Sequence, residues 1–369
     1  MKNKISKISV IICSYNNAHN IKECLTSLVH QAEVKVPFEI IVVDDNTKDN
    51  SVQIVQDFIA NHPFAKIKLL RNAQNLGPSM TRNNGVRHST GDLLLFTDAD
   101  CVPQHHWIES IYNFFLESDI QFFTGSRNEV GAGRGAKFRL ISYILYSPKS
   151  QITKRLVVNM ESIRSGFTPK IMASTNNFAC LRVVWTEAGG FPTDFRKPAG
   201  EDLKFEHNSL LKGFSMGFDS SITVDHNHPM SEYSLMSKMI FNGEASWRLI
   251  RKTNGYFTKQ DFIDRGYFCT ERFFLSFLFF VITIPLAFYV SPIIALGVSI
   301  GPVYYYISQV TLAYTAIKRQ KSRSVTFREY LRHISVFDIL LFPLYSTFSR
   351  LVAFVSYNYY KSSSNTRKI

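Results

Sequence analysis

An apolar run that ends in two carboxylates, LLLFTDADC at Leu93–Cys101, constrains the fold of this chain more than any other segment. The run is long enough for one buried strand, and Asp98 and Asp100 follow it one residue apart. Carboxylates at the end of a buried strand are costly unless a cation meets them there. In an open α/β sheet this edge is where ligands bind, and paired carboxylates suit Mg²⁺ or Mn²⁺. Taken alone, the pair is equally expected in a loop that caps the next helix.

Strand-like and helix-like segments alternate through the first hundred residues. Strands are predicted at Ile8–Cys13, Phe38–Val43, Ile67–Leu70 and Leu93–Thr97. The second strand also ends in paired acids, Asp44 and Asp45, so two strands deliver carboxylates to one edge. This alternation predicts an α/β fold with a Rossmann-like, doubly wound, mostly parallel sheet. The chain contains neither the G-x-G-x-x-G nor the P-loop sequence.

Helices are predicted between these strands. The first is expected to follow Asn20, with the Asn20 side chain as its N-cap and Glu23 three residues later as in a capping box. The next two are predicted at Ser51–Asn61 and Ser79–His88.

Farther along, a second acid pair, Glu201-Asp202, precedes a segment with a helical apolar face. The apolar positions of that face are Leu203, Phe205, Leu210 and Leu211. A short strand is expected at Ile222–Val224, followed by two histidines, His226 and His228. Acids in the first helical turn are also expected from the helix dipole alone.

The charge and the cysteines limit the classes of function. The 369 residues carry a net charge of +13, which favours an anionic partner such as a phosphorylated substrate, an acidic membrane or nucleic acid. Much of the basic excess lies beside apolar C-terminal segments, so we expect lipid and no nucleic acid. The five cysteines show no C-x-x-C spacing, which argues against a disulfide framework or zinc site. The first apolar run is too short for a signal peptide, so we expect a cytoplasmic catalytic part.

The C-terminal third predicts attachment to a membrane. Phe273–Ile317 contains no charged residue and is long enough for two crossings that break at Ser291-Pro292. Basic flanks predict that both ends of this hairpin, including Lys318–Arg332, face the cytoplasm. Ile334–Tyr357 contains one Asp and one Arg, which are costly at membrane depth. For that segment an interfacial or re-entrant position is favoured over a third crossing.

Motifs in the first two thirds of the chain resemble the family 2 glycosyltransferases of the GT-A fold. They appear in family order over roughly Lys7–Pro229: SVIICSYNN, VVDDNT, the Asn-x-Gly segment leading into TRNNG, TDADC, and NNFACLRVVWTEAGGF followed by GED. The resemblance implies a metal-dependent, inverting enzyme that moves one sugar from a nucleoside diphosphate sugar to an acceptor hydroxyl. UDP is the default nucleotide, and the acceptor is expected to be a lipid-linked saccharide or a cell-surface glycan.

The same resemblance assigns roles to individual residues. The nucleoside is expected at Tyr15, Asn16, Asp44 and Asp45, and the diphosphate at Asn75, Gly77 and Arg82. Asp98 and Asp100 are expected to bind Mn²⁺ or Mg²⁺, with Asp98 also contacting the nucleotide sugar, and His226 matches the family's metal or diphosphate histidine better than His228. Asp202 matches the catalytic base, and Glu201 is expected to position the base or the acceptor. Trp247 is interpreted as an acceptor-side or membrane-interface aromatic, with core packing equally expected.

Two features depart from the family pattern. His207-Asn208 stands where an Arg is usual, and the Gln-x-x-Arg-Trp signature of processive polysaccharide synthases is absent. Two alternatives remain open at this point. One is a polyprenyl-phosphate sugar synthase, and the other is a non-catalytic membrane scaffold with a degenerate transferase domain.

The predicted organisation of the chain has four parts. They are a GT-A domain at 1–230, a juxtamembrane amphipathic region at 231–272, a transmembrane hairpin at 273–317, and a basic loop with the third apolar segment and a basic tail at 318–369.

Overall fold

The structure, a computed structural model, separates into two compact units. One comprises Met1–Glu129 with Pro148–His228, and the other Val130–Ser147 with Pro229–Ile369. The structure describes residues 4–131, 137–139, 141, 145, 155–165, 171–195, 200–227, 232–264, 281–283, 285, 289–320 and 334–366.

The first unit is built on one mixed sheet. Its strands are β1 (Ile8–Ser14), β2 (Phe38–Asp44), β3 (Ile67–Arg71), β4 (Leu93–Asp98), β5 (Cys101–Pro103), β6 (Phe122–Val130), β7 (Leu156–Val158), β8 (Phe178–Leu181) and β9 (Met216–Asn227). The strand order is β3-β2-β1-β4-β8-β6-β9-β5, and β7 also pairs with β9. β3, β2, β1 and β4 are parallel, whereas β8 runs antiparallel to β4 and β6. The predicted α/β fold class is therefore confirmed, with an antiparallel extension that the sequence did not reveal.

Helices cover both faces of the parallel strands. Those of the first unit are α1 (Ile21–Val29), α2 (Ser51–Asn61), α3 (Pro78–Arg87), α4 (Trp107–Glu117), α5 (Met160–Arg164), α6 (Arg182–Glu187) and α7 (Glu201–Leu211). α1, α2 and α4 share one core with the inward side chains of β1, β2 and β4. α3 lies on the opposite face, where a Cβ at Gly85 would come within 2.6 Å of Ile11 Cγ2 and 3.1 Å of Val43 Cγ2. The glycine lets this helix approach the sheet closely.

An aromatic cluster fills the same face beyond α3. The ring of Phe191 packs edge-on against Phe96 of β4 at 5.2 Å and stacks on Phe205 of α7 at 4.6 Å. Phe178 of β8 contacts Phe205 edge-on at 5.8 Å. Because aromatic pairs of this kind have preferred geometries, the cluster fixes α7, and with it Glu201-Asp202, relative to the end of β4.

Three local predictions are wrong. Asn20 precedes α1 as expected but makes no side-chain capping bond, because its backbone is already near the helical region at φ −119°, ψ −32°. Leu211 is mostly exposed at the end of α7 instead of lying on the buried face. His226 does not follow a short strand but lies within the longer β9, whose antiparallel pairing with β5 extends through His226.

The second unit is helical. Its helices are α8 (Glu232–Lys252), α9 (Lys259–Asp264), α10 (Pro292–Gln320) and α11 (Val336–Thr366). α8 packs closely on α11 at Gly243. A Cβ added there would lie only 2.4 Å from the Ala353 carbonyl oxygen. The Ser356 hydroxyl donates to the Ile240 carbonyl at 2.7 Å across the same contact.

Asp338 lies in the first turn of α11. Its carboxylate accepts bonds from the Ser335 amide at 2.9 Å and hydroxyl at 2.6 Å, and it pairs with Lys137 Nζ at 2.9 Å. This carboxylate therefore caps a helix and pairs with a cation. These partners offset the cost of burying a charged Asp that was expected from the sequence.

The membrane predictions are tested only in part. Ser291 is non-helical and α10 begins at Pro292, while most of the first half of the predicted hairpin lies outside the described residues. Among the described residues, Val336–Ser362 in α11 is long and apolar enough to cross a membrane, and 56% of its most apolar window is buried in the protein. A helix in the core of a soluble protein can have the same length and composition. This helix therefore does not show that the chain crosses a membrane several times.

Candidate active site

The carboxyl ends of three parallel strands meet at one edge of the sheet. Ser14, the last residue of β1, is in register with Asp44 of β2, and Cys13 is in register with Asp98 of β4. Strand register therefore brings two of the predicted acids to either side of the β1 terminus. This is the edge at which open α/β sheets bind ligands.

Asp45 holds the Asn75–Gly77 turn. Its two carboxylate oxygens accept bonds from the backbone amides of Leu76 at 2.8 Å and Gly77 at 2.9 Å. The Asn72 side chain donates to the same carboxylate at 2.8 Å, and Gly77 has a φ of 81° that favours glycine. Asp45 is buried, so the described contacts make it the residue that shapes this turn at the start of α3.

Asn16 and Asp44 organise the loop after β2. Asn16 Oδ1 accepts bonds from the Lys48 amide at 2.9 Å and the Thr47 hydroxyl at 3.0 Å. Asp44 is buried, accepts from the Thr47 amide at 3.3 Å and faces Arg71 Nε at 3.3 Å. Burial raises the pKa of Asp44, although the Thr47 amide and Arg71 oppose that rise. Tyr15, by contrast, is 43% exposed, so its ring is available to a bound molecule.

Arg82 joins the two acidic motifs. Its Nη2 donates to Asp98 Oδ1 at 2.9 Å, and its Nη1 donates to Glu201 Oε1 at 2.9 Å. The Arg82 and Glu201 side chains are only 5% and 6% exposed, so this is a buried ion pair, and the planar guanidinium directs a separate nitrogen at each of the two carboxylates. The sequence did not predict this bridge between residues 119 positions apart.

Glu201 and Asp202 form the first turn of α7. Gly200 precedes them with a φ of 89°, which a glycine adopts without strain. Burial raises the pKa of Glu201, and the neighbouring Asp202 carboxylate raises it further against the opposing effect of Arg82. Glu201 Oε2 is buried without a hydrogen-bond partner among the described residues, whereas Asp202 is partly exposed and bonds to the Leu203 amide at 2.9 Å.

His226 lies between two acids. Its Nε2 is 3.6 Å from Asp100 Oδ1, and its Nδ1 is 2.9 Å from Glu129 Oε2. Burial alone lowers the pKa of His226, but the Glu129 and Asp100 carboxylates outweigh it and raise the pKa to about 9. The structure thus brings together two of the three predicted metal residues, Asp100 and His226, and adds Glu129, which the sequence did not single out.

The donor atoms at this corner fit Mn²⁺ or Mg²⁺. Ligand atoms of Asp100, Cys101 and His226 all lie within 4.8 Å of one another. Burial, followed by the Asp100 and Asp98 carboxylates, raises the pKa of the Cys101 thiol well above its usual value, and sulfur is a soft donor that Mg²⁺ and Mn²⁺ do not favour. The Asp100 carboxylate and the His226 imidazole remain, and both ligand types suit hard or borderline divalent cations.

Asn83 was also missed by the sequence reading. Its side chain accepts bonds from the Trp185 indole at 3.0 Å and the Phe191 amide at 2.9 Å, and it donates to the Phe191 carbonyl at 2.8 Å. These bonds hold the GGF segment against α3, one residue from Arg82. In the sequence, the only signal for this contact was the spacing of the TRNNG and GGF motifs. Spacing alone does not reveal that two distant segments touch.

Trp247 belongs to the helical unit. Its ring packs edge-on against Tyr357 at 5.7 Å, and Arg251 lies 5.6 Å above it. These contacts are those of helix packing, and an acceptor-side role for Trp247 stays a prediction. His228, the other predicted histidine, lies outside the described residues.

Known proteins share this sequence pattern. Residues 9–181 match Glycosyl transferase family 2. Glycosyltransferase AglE from Haloferax volcanii is 26% identical over 227 residues, which cover 61% of this chain and 68% of AglE. The dolichyl N-acetyl-α-D-glucosaminyl phosphate 3-β-D-2,3-diacetamido-2,3-dideoxy-β-D-glucuronosyltransferase from Methanococcus voltae is 22% identical over 255 residues, covering 68% of this chain and 75% of that protein. Three other curated relatives match over only 20% to 39% of their own length.

A solved structure shows the same fold. The mannosyltransferase PcManGT from Pyrobaculum calidifontis, solved with GDP-Man and Mn²⁺, superposes with a TM-score of 0.51 at 14% identity. The superposition covers 93% of this chain and 86% of that one. The sequence match makes residues 9–181 a Glycosyl transferase family 2 domain, and the structural match shows the fold on which that domain is built.

Proposed function

We propose that this chain transfers one sugar from a nucleoside diphosphate sugar, UDP by default, to a hydroxyl of a lipid-linked or cell-surface saccharide, with inversion at the anomeric carbon. The proposal rests on family membership and on the acids at the sheet edge. The name of the Methanococcus voltae relative describes a dolichyl-phosphate-linked sugar, which supports a lipid-linked acceptor.

The Arg82 bridge carries the proposal. One guanidinium contacts both Asp98, at the end of the strand where ligands bind, and Glu201, beside the predicted base. Without the bridge, the two acidic motifs are separate features of the sequence. With it, the donor end of the site and the acid pair belong to one bonded cluster, as a transfer between donor and acceptor requires.

Asp202 is the proposed general base. It is partly exposed at the start of α7, so an acceptor hydroxyl can reach it, whereas its neighbour Glu201 is buried against Arg82. A base that removes the hydroxyl proton directs attack on the anomeric carbon from the face opposite the leaving nucleotide. No covalent intermediate is needed, and the sugar inverts.

Asp98, Asp100 and His226 are the proposed holders of Mn²⁺ or Mg²⁺. When bound there, the ion supplies positive charge that neutralises the leaving nucleoside diphosphate. Asp98 keeps one carboxylate oxygen on Arg82, and its side chain is 30% exposed, so part of the carboxylate stays accessible. Asp45 fixes the turn at Gly77, and Tyr15 offers an exposed ring to the nucleoside.

An apolar stripe on α11 supports attachment to the membrane. One face of α11 packs within the helical unit, while exposed apolar side chains recur along the other face every three, four or seven residues. They are Phe337, Leu340, Leu344, Phe348, Val355 and Tyr359. A helix with one face in the protein and an apolar face outside fits a helix that lies in the membrane interface. The cytoplasmic donor and a membrane-bound acceptor can meet at such a surface.

The experiment that tests the proposal identifies the product. Purified full-length protein is incubated with a panel of radiolabelled sugar nucleotides, Mn²⁺, and either lipid-linked saccharides or polyprenyl phosphate. We expect one donor to label a saccharide hydroxyl, with inverted anomeric configuration by NMR. Labelling of polyprenyl phosphate alone would instead identify a polyprenyl-phosphate sugar synthase, and a retained configuration would exclude the single-base mechanism.

A further inference from the structure

Glu129 lies at the end of β6, beside the metal residues proposed above, and no sequence motif points to it. The carboxylate is buried, with no exposed side-chain surface, and its two oxygens have different partners. Oε1 accepts a bond from Arg127 Nε at 2.7 Å, and Oε2 faces His226 Nδ1 at 2.9 Å. Arg127 is itself held by a 3.0 Å bond from its Nη1 to the Ser174 hydroxyl.

We propose that Glu129 is a positioning residue that fixes the tautomer and orientation of His226, so that Nε2 presents a lone pair to a divalent cation shared with Asp100. This inference deepens the proposed function and rests on its metal site. It concerns a residue that holds the ligand and does not itself touch the cation.

The hydrogen bonds account for the tautomer. A carboxylate only accepts hydrogen bonds, so Glu129 requires a proton on Nδ1 of His226. When a divalent cation displaces the proton from the other nitrogen, that nitrogen supplies the lone pair. That nitrogen, Nε2, points toward Asp100 Oδ1 at 3.6 Å, on the side where a cation would bind both residues. Histidine ligands in metal sites are held by carboxylates in this way.

Arg127 makes the substitution Glu129→Gln informative. Arg127 can only donate hydrogen bonds, so it stays bonded to the amide oxygen of Gln at position 129. The amide NH₂ group then faces His226. The NH₂ group needs an acceptor, which forces the proton from Nδ1 to Nε2. The side chain keeps its size, but His226 then directs an N–H at the cation.

The experiment measures Mn²⁺ affinity directly. Full-length protein with UDP is titrated with Mn²⁺, and the free ion is followed by electron paramagnetic resonance. We expect Glu129→Gln to weaken Mn²⁺ binding about 10- to 100-fold, and His226→Ala to weaken it at least as much. Glu109→Gln is the matched control, since Glu109 Oε2 lies 3.0 Å from His106 Nδ1 in an exposed pair. That variant should bind Mn²⁺ as the wild type does.

A second measurement does not depend on the variant folding. In wild-type protein with ¹⁵N-labelled histidine, Mg²⁺ and UDP, the His226 signal is expected to report the Nδ1–H tautomer. An Nε2–H tautomer in that state overturns the inference.

The outcomes separate this inference from the proposed function. If His226→Ala weakens Mn²⁺ binding and a folded Glu129→Gln protein does not, the role of Glu129 is wrong while the metal site stands. If the wild type with UDP binds no Mn²⁺, the proposed metal site fails, and the inference fails with it.

Discussion

Arg82 stabilises the site through its ion pairs with Asp98 and Glu201. Replacing it with Met leaves the buried Glu201 carboxylate without its cation, and breaking a buried pair in this way costs about 3–5 kcal/mol. We expect Arg82→Met to lower the free energy of unfolding by that amount in urea titrations. Arg155 is a matched control, because it also pairs with two carboxylates, Asp219 and Glu117, but is 43% exposed. Arg155→Met should cost about 1 kcal/mol or less, and equal losses for the two variants would contradict the buried bridge.

A substitution of Asp202 distinguishes a catalytic role of this residue from a helix-stabilising one. If it removes the acceptor proton, Asp202→Asn should lower kcat about 10²- to 10⁴-fold while the Kd for the sugar nucleotide stays near the wild-type value. If it only complements the helix dipole, stability falls slightly and turnover persists. Asp57→Asn changes an exposed helical carboxylate on α2 and serves as the control for charge loss. Wild-type turnover by Asp202→Asn removes Asp202 from the mechanism.

At the scale of elements, Gly85 sets the distance between α3 and the sheet. Helix propensity alone predicts that Gly85→Ala stabilises the protein by about 1 kcal/mol. The new Cβ would lie 2.6 Å from Ile11 Cγ2, in a packed core where excess volume costs about 1–3 kcal/mol. Because Ile11 is β-branched and stiff, we expect a net loss of stability and a lower melting temperature. Arg87→Ala, an exposed change on the same helix, should leave the melting temperature nearly unchanged, and a rise for Gly85→Ala would contradict the close packing.

The elements that could be predicted from the sequence are those identified by a local pattern of residues. The parallel strands and α2 were predicted within one or two residues, because alternating apolar runs and polar turns identify them. Of the antiparallel strands, β6 and β8 were not predicted and β9 was predicted only at Ile222–Val224, since their pairing joins segments far apart in the chain. For the same reason the acids Asp98 and Asp202 were found from motifs, but the Arg82 bridge and the Glu129–His226 contact were not. Both are long-range contacts of buried polar groups, which leave no periodic pattern.

For the whole molecule, the exposed stripe of α11 predicts binding to lipid. The double variant Leu344→Glu/Phe348→Glu places two charges on that face. We expect it to float poorly with anionic liposomes in density gradients, because burying a carboxylate in the apolar interface is costly. Phe64→Glu, at a 73% exposed phenylalanine of the α/β unit, is the matched control and should float like the wild type. Undiminished flotation of the double variant would remove α11 from the membrane contact.

One metal-dependent transferase site at the edge of the sheet is the central feature of this molecule. The most direct measurement is release of the nucleoside diphosphate from a sugar nucleotide by purified full-length protein, with Mn²⁺, after addition of excess EDTA, and after Mn²⁺ is restored. We predict turnover with Mn²⁺, background release in EDTA, and recovery on restoring the ion. Full turnover in EDTA would contradict the metal role of Asp98, Asp100 and His226. Failure of the folded protein to use any sugar nucleotide would contradict the transferase itself.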